Sequence, residues 1–548
     1  MKRLSALFLT LAMVLSLTAC AKSAQAPETT APATAAPTQA PTQPEPQGEV
    51  VLQDVGTAVP TQGNARVYYQ IFVGSFSDSN GDGIGDLRGI IDRFDYLNDG
   101  DDNSGRSLGI EGIWLTPIFA SPSYHKYDCT DYYTIDPSFG TMEDLRELID
   151  LCHRRNVQII LDLVINHTSS KHPWFLRFKE AHVTGNTSDP YYNYYTFAAD
   201  QSGANTFCAL PGTREYYEGN FSWDMPELNY DNPQVRQAMV DVAKFYLDMG
   251  VDGFRFDAAK YIYYGDEARS TDFWDWYMAE LRAIKPDIYT VAEVWDSDGA
   301  TIPYFSATNC FNFSMSQTDG KITAAARKGN VNAFMDYVGN YIEKIREQRP
   351  DAMPITFLTN HDMDRAAGFL TVSSGQAQVA ANLAILMPGS TFLYYGEEIG
   401  MKGSRGGANT DADRRLAMLW GDGDTVRDPE GASWSGEQSN GTVAEQILNP
   451  DSLYTHFKRL IALRKANPEI ASGEFTPLSL PGKAGGFLAT LGESTVAVIH
   501  NTTGDPVTID LSKIPVPLTV LTAAVGLGSA SLEGTTLTID GQTSVILR

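Results

Sequence analysis

The stretch Gly253-Phe254-Arg255-Phe256-Asp257-Ala258-Ala259-Lys260 decides how this chain is read. It opens as a short aromatic-rich run and closes on charge, the pattern of a β-strand that leads into a polar loop. Along a strand, residues two apart point to the same side, so Arg255 and Asp257 share one face.

Outward from it the same texture recurs. Short apolar, β-branched or aromatic runs stand at 67–72, 112–116, 157–164, 288–293, 310–313, 355–359 and 391–395, separated by longer stretches that often have helical periodicity. With 253–257 they make eight βα units, which predict an α/β fold, a closed (β/α)8 TIM barrel, over residues 64–470. Several runs contain or lead into polar residues: Asp162, Asn166 and His167; Asp257; Glu293; His361 and Asp362. Barrels of this kind carry their chemistry at the carboxyl ends of the strands, so these positions form the candidate site.

The chain has 548 residues. A single core stops growing at roughly 250–300 residues, so two or three units are expected. The formal net charge of −26 argues against nucleic acid and anionic membrane surfaces as partners, because both would repel it. A neutral ligand such as a sugar is compatible with it.

Between His167 and about Asn229 lies a Tyr-, Asn- and Gly-rich segment without clear helical period. It is too long for an ordinary βα loop and predicts an inserted subdomain at 168–230. From about 471 onward the runs alternate, as at 494–499 and 535–539, and are punctuated by Gly and Asp. That pattern predicts a C-terminal antiparallel β-sandwich over 471–548.

At the start, Lys2 and Arg3 precede a mostly apolar run at 4–17, followed by Thr18-Ala19-Cys20. A short apolar region that ends in small residues before a cysteine has the form of a lipoprotein signal peptide, here 1–20. Cys20 would then be the lipidated mature N-terminus, which implies an extracellular, cell-surface protein held to the membrane by its lipid. The run is too short for a transmembrane span. Residues 21–63 are rich in Pro, Thr, Ala and Gln and predict a flexible tether. Cys129, Cys152, Cys208 and Cys310 form no CxxC pair and are too few for a disulfide framework in so large a chain, so all four are expected free and buried.

Four segments at strand ends resemble, in order, the signature regions of the α-amylase family of glycoside hydrolases (family 13). They are Asp162-Leu163-Val164-Ile165-Asn166-His167, the opening stretch 253–260, Val291-Ala292-Glu293-Val294-Trp295, and Thr359-Asn360-His361-Asp362. The resemblance covers roughly residues 66–548 and implies retaining cleavage of α-glucosidic bonds in starch-type α-glucans and maltooligosaccharides. By it, Asp257 is the nucleophile and Glu293 the general acid/base. Asp362 is the third carboxylate, which grips sugar hydroxyls, and His167 and His361 bind the same sugar. Tyr127, in His125-Lys126-Tyr127-Asp128, resembles the aromatic platform beneath that sugar, while Lys260 and Trp295 resemble the α-amylase pattern that reaches beyond the cleavage point.

The residues support distinct roles. Breaking an acetal requires a proton for the leaving oxygen and negative charge against the oxocarbenium-like centre, and retaining enzymes use two carboxyls about 5 Å apart for this. Glu293 lies among Val291, Ala292, Val294 and Trp295, surroundings that raise a carboxyl pKa toward the acid role. Arg255 shares the face of Asp257 and is expected to hold that carboxylate ionised. Buried Asp and His residues also serve simply to satisfy strand-end backbone groups, and Asp162 is read in that way. Trp114 is read as core.

The loop Asp78-Ser79-Asn80-Gly81-Asp82-Gly83-Ile84-Gly85-Asp86 places oxygen donors at alternate positions around a Gly-permitted turn, as a short loop does around Ca²⁺. Asp78, Asn80, Asp82, the Ile84 carbonyl and Asp86 are the expected ligands. Gly89 stands where an EF-hand would have its bidentate Glu, so the loop rather resembles the one that holds a structural calcium in oligo-1,6-glucosidase and neopullulanase relatives. A second calcium in many α-amylases uses the position of Asn166, for which the sequence identifies no acidic partner. Met225-Pro226-Glu227-Leu228-Asn229 resembles the Met-Pro-Asp-Leu-Asn string of members intermediate between those two groups, with Glu in place of Asp. Lys260 and Trp295 favour endo-acting cleavage of α-1,4 links. The alternatives are an exo-acting α-glucosidase or glucanotransferase of the same family, and a non-catalytic starch-binding lipoprotein.

Overall fold

A computed structural model describes residues 48–202, 205–406 and 411–548. Cys20 and the expected signal peptide lie outside the described residues. The eight expected strands are present: β1 Val67–Ile71, β2 Gly112–Leu115, β3 Gln158–Leu163, β4 Gly253–Phe256, β5 Tyr289–Ala292, β6 Asn309–Cys310, β7 Ile355–Phe357 and β8 Ser390–Tyr394. All pair in parallel, in the order β6-β5-β4-β3-β2-β1-β8-β7, and a parallel bridge from Phe311 to Ile355 joins the two ends of the sheet into a barrel. The sixth strand is the shortest.

Apart from Gln158 at the start of β3, every strand residue is buried, which is why each strand reads as a nearly continuous apolar run. Alternate residues face inward: Tyr68, Trp114, Ile160, Tyr289, Val291, Phe311, Ile355, Phe357 and Phe392 form one cluster inside the barrel. Tyr68 is stacked between Tyr289 (4.9 Å) and Phe392 (4.7 Å) and fills the lower end. Gly112 makes room for it, since a Cβ there would meet the Tyr68 ring at 2.3 Å. With the lower layer packed by rings, the inward positions above it are free to carry polar groups: Gln70 on β1, Asp162 on β3 and Arg255 on β4. Asp162 and Arg255 are register partners, and Arg255 is also the partner of Val291, so the strands that bear the first three motifs are neighbours.

The inserted subdomain leaves the barrel after β3. It holds a three-stranded antiparallel sheet, in the order Phe197–Ala198, Tyr216–Glu218, Phe207–Ala209. It also holds a helix, Pro173–Thr184, where the sequence shows no clear helical period. The helix is capped by His172, whose side chain accepts from the Trp174 amide, and ends at Gly185 in the left-handed region. Phe175, Phe178, Ala181 and His182 form its buried stripe, but the exposed apolar residues Leu176 and Val183 blur that stripe in the sequence.

Beyond Gly473 the chain forms an antiparallel five-stranded sheet and an antiparallel three-stranded sheet. Leu488, Ala497, Ile499, Ile509, Leu537, Ile539, Val545 and Leu547 make a separate core there, as a sandwich requires. The tether expectation needs correction at its end. Residues 48–63 are described, and Val50, Leu52 and Val59 donate backbone hydrogen bonds to Ile447, Gly105 and Lys465, so this part is docked on the barrel. Cys129, Cys152, Cys208 and Cys310 are free as expected, although Cys208 is only partly buried.

Candidate active site

Arg255 is the hub. Its Nη1 donates to both oxygens of Asp162 (2.8 and 3.0 Å) and to Asp257 Oδ1 (2.7 Å), and its Nη2 pairs with Glu293 Oε2 at 3.1 Å. The two expected reacting carboxyls, from the ends of adjacent strands β4 and β5, therefore meet on one buried guanidinium. Ala258, the residue after Asp257, lies in the left-handed region (φ 50°, ψ 37°), which turns its N–H toward Glu293 Oε2 at 3.0 Å. The next amide, Ala259, donates to the Glu293 carbonyl at 3.0 Å, so the turn after β4 is fastened to the end of β5.

One positive charge thus faces three carboxyls. Burial, opposed by Arg255 and reinforced by the neighbouring carboxylates, pushes Asp257 up to about 7. Glu293 is raised to about 7 in the same way. Asp162 is raised to about 6, also by burial against the pull of Arg255. Arg255 does favour ionised Asp257, as expected, but burial and the neighbouring carboxylates outweigh it because the guanidinium is shared. The cluster retains a proton near neutrality, which is the state that acid/base chemistry requires.

Asp362 behaves oppositely. Burial would raise it, but the charges of Arg415 and Arg255 bring it down to about 2, with Arg415 Nη2 at 2.7 Å from Oδ1. Burial holds His361 neutral, with a value near 3, so Arg415 supplies the nearby charge. His361 Nδ1 faces the Gln70 amide nitrogen at 2.7 Å, which leaves the ring proton on Nε2, facing Tyr127 Oη (2.6 Å) and Asp362 (3.1 Å). Tyr127 in turn donates to Asp162 at 2.9 Å and stacks on His361 with their planes 1° apart. A relay from Gln70 through His361 and Tyr127 to Asp162 underlies the site. Trp114 is core, as expected, and its indole N–H also donates to Asp162 at 3.2 Å.

These groups floor a cavity of about 680 Å³ lined by Tyr127, His167, Asp257, Glu293, Trp295 and Asp362 together with residues of the inserted subdomain. A second lobe of about 400 Å³ shares Trp295, Asp362 and Arg414 with it. Trp295 is 39% exposed and stacks on Phe313 at 4.9 Å. His167 lines the cavity, yet its Nε2 is buried without a protein partner, and the Phe221 ring lies 5.3 Å away. Lys260 is not brought into the lining. Its Nζ is held by the Trp295 carbonyl (2.8 Å) and Asp296 (3.1 Å).

Sequence reasoning missed Gln70 and Arg415. Gln70 had a signal, as a lone polar residue two positions from Tyr68 on the inward face of β1. Arg415 had none, because it lies in the loop after β8, where no periodicity or motif marks it.

In the Asp78–Asp86 loop, Asp78 accepts from the amides of Asn80, Gly81 and Gly83 and from Thr425, at 2.6–3.0 Å. Asp86 accepts from Ser79 and from the Gly89 amide, while Asn80, Asp82 and Ile84 face solvent. Among the described residues no group of three or more His, Cys, Asp or Glu side chains is poised to hold a metal. The donors are nonetheless oxygen only, and Gly81 and Gly83 adopt the positive φ values (85° and 94°) that a tight cation loop needs, so their chemistry fits a hard cation. Next to Asn166 the fold also supplies acidic partners that the sequence did not reveal. Glu227 and Glu218 are both buried, and Glu227 is pushed up to about 8 by burial and by Glu218.

Residues 70–473 match the family described as "Alpha amylase, catalytic domain". The chain belongs to the α-amylase family. It is 35% identical to Alpha-amylase 3 of Dictyoglomus thermophilum, over 79% of this chain and 84% of that one. It is 30% identical to a 4-alpha-glucanotransferase of Thermotoga maritima, over 81% and 97%. Among solved structures, Eubacterium rectale Amy13B superposes with a TM-score of 0.84 at 34% identity, covering 90% of this chain and 97% of that one. For this α-amylase-family chain the TIM barrel with a C-terminal β-domain is thus the fold of its relatives as well.

Proposed function

We propose that the protein hydrolyses α-1,4-glucosidic bonds within starch-type glucans and maltooligosaccharides, with retention of anomeric configuration. The observation that carries this is the shared guanidinium, which places Asp257 and Glu293 side by side at the floor of a wide cavity. Protonated Glu293 gives its proton to the leaving glycosidic oxygen while ionised Asp257 attacks the anomeric carbon, forming a glycosyl ester. Glu293, now ionised, takes a proton from water as the water displaces Asp257, which restores both groups and releases the α-anomer. Asp362, anchored by Arg415, accepts hydrogen bonds from sugar hydroxyls.

The test is twofold. Glu293→Gln should lower kcat on soluble starch by at least about 10²-fold, and wild-type enzyme should release a mixed ladder of oligosaccharides from amylose, first as α-anomers. Unaltered sugar release by Glu293→Gln would support the binding-only alternative. Glucose as the sole early product would support the exo-acting one. A transfer reading is favoured by the second lobe beside Trp295, which has room for an acceptor sugar. It predicts products longer than a maltotriose substrate.

Two further roles are part of this proposal. The Asp78–Asp86 loop holds a structural Ca²⁺, supported by its all-oxygen donors. Returning calcium to chelator-treated protein should raise Tm by at least about 3 °C, and an unchanged Tm would exclude it. Cys20 carries a lipid that keeps the protein at the cell surface, supported by the sequence before it. Cys20→Ser should then shift the protein from the membrane fraction to the medium.

A further inference from the structure

Among the described residues, five large aromatic side chains are exposed: Tyr133, Phe221, Trp223, Tyr264 and Trp295. Tyr133 packs against Phe245, away from the cleft residues. Of the other four, two line the cavity, one is a sequence neighbour of lining residues and one is reached from them through ring contacts. Phe221 and Trp295 line the cavity, and Trp223 stands between two further lining residues, Ser222 and Asp224. Phe221 packs on Tyr261 at 4.6 Å, and Tyr261 stacks on Tyr264, also at 4.6 Å and with their planes 9° apart. The rings therefore form a continuous series, from the cavity wall out to a solvent-facing tyrosine.

Leaving such rings in water forfeits the free energy of their burial, so a contiguous exposed set marks a surface that something covers. Trp223 is 67% exposed, the highest value among these aromatics, and its own side chain makes no described hydrogen bond. The occupant must begin in the cavity, because Phe221 belongs to both surfaces. It must present flat apolar faces to rings and hydroxyls to Ser222, Asp224 and Asp296, which lie alongside. With a chain formal charge of −26, a polyanion is repelled.

We propose that Phe221, Trp223, Tyr261 and Tyr264 form a rail that binds the part of a neutral α-glucan chain extending beyond the catalytic cavity. This deepens the functional reading above and rests on it. The rail gives the enzyme its hold on polymer, as distinct from short oligosaccharide.

The test uses Trp223→Ala, Tyr264→Ala and the double variant of the full-length protein. KM for amylose should rise at least about fivefold in the double variant, with KM for maltotriose and kcat on both substrates within about twofold of wild type. As a second readout, Glu293→Gln protein should be retarded in gels containing amylopectin, and adding the two rail substitutions should abolish most of that retardation. Equal effects on maltotriose and amylose, or retardation unchanged by the substitutions, would overturn the rail. Failure of the wild type to cleave any α-glucan would instead overturn the functional reading, which separates the two. Circular dichroism and Tm of each variant guard against misfolding, to which surface aromatics at a loop contribute little.

Discussion

Arg255 carries one positive charge between three carboxyls, and that imbalance sets how the site titrates. The productive form has one proton across Asp257 and Glu293: Glu293 holds it as the acid and Asp257 is ionised. Below their raised range both are protonated and the nucleophile is lost, while above it both are ionised and the acid is lost. The pair titrates as a unit, so kcat/KM should follow a bell whose alkaline limb falls near pH 7, the value to which burial brings both groups. Removing a neighbouring negative charge eases ionisation of both. Asp162→Asn should therefore move both limbs to lower pH, and a profile that stays in place or moves to higher pH would contradict the shared-charge account. The same shifts bear on stability. Carboxyls whose folded pKa exceeds the unfolded value bind more protons in the folded state, so their contribution to stability declines as pH rises from about 4 to about 7 and is constant above that.

At the scale of the element, the turn after β4 is the joint on which the carboxyl pair depends. Ala258 adopts a backbone conformation that costs a non-glycine residue roughly 1–2 kcal/mol, and in return its amide reaches Glu293. Glycine at this position should keep kcat and stay within about 1 kcal/mol of wild-type stability. Valine, whose branched Cβ suits this region poorly, should destabilise by about 1–3 kcal/mol and lower kcat. Urea denaturation alongside kinetics checks both, and equal stability of the two variants would mean that the turn is unstrained. This joint also shows what the sequence could and could not convey. The strands were legible because burial on both faces makes each an apolar run, and the polar ends of β3, β4, β5 and β7 were legible because charge interrupts that run. The left-handed turn was not, since alanine carries no signal for positive φ. Nor was the Pro173–Thr184 helix, whose exposed leucine and valine mask its stripe, or Arg415, which reaches Asp362 only through the tertiary path of the loop after β8.

At the scale of the whole molecule, the C-terminal sandwich supplies no residue to the cavity lining, so its role must be sought in packing. The helix Gln376–Ile385 is buried at every position after its first residue, an arrangement that needs cover on all sides. The barrel covers part of it, and the sandwich covers the rest. Asn382 donates from this helix to the Val525 carbonyl (3.1 Å) and to Ser544 Oγ (2.8 Å), and Arg548, the last residue, pairs with Glu469 at 2.8 Å. A chain truncated after Gly473 would expose one face of an apolar helix and leave Asn382 without either acceptor. Truncation should therefore yield aggregated protein, although every catalytic group is retained. Asn382→Ala in the full-length chain should remove these two hydrogen bonds and the one between Asn382 Oδ1 and His456 Nε2 (2.8 Å), at a loss of about 1–3 kcal/mol, while leaving kcat unchanged. A soluble, fully active truncated barrel would show instead that the helix finds its cover within the barrel, and the sandwich would then need a role other than that of a lid on the core.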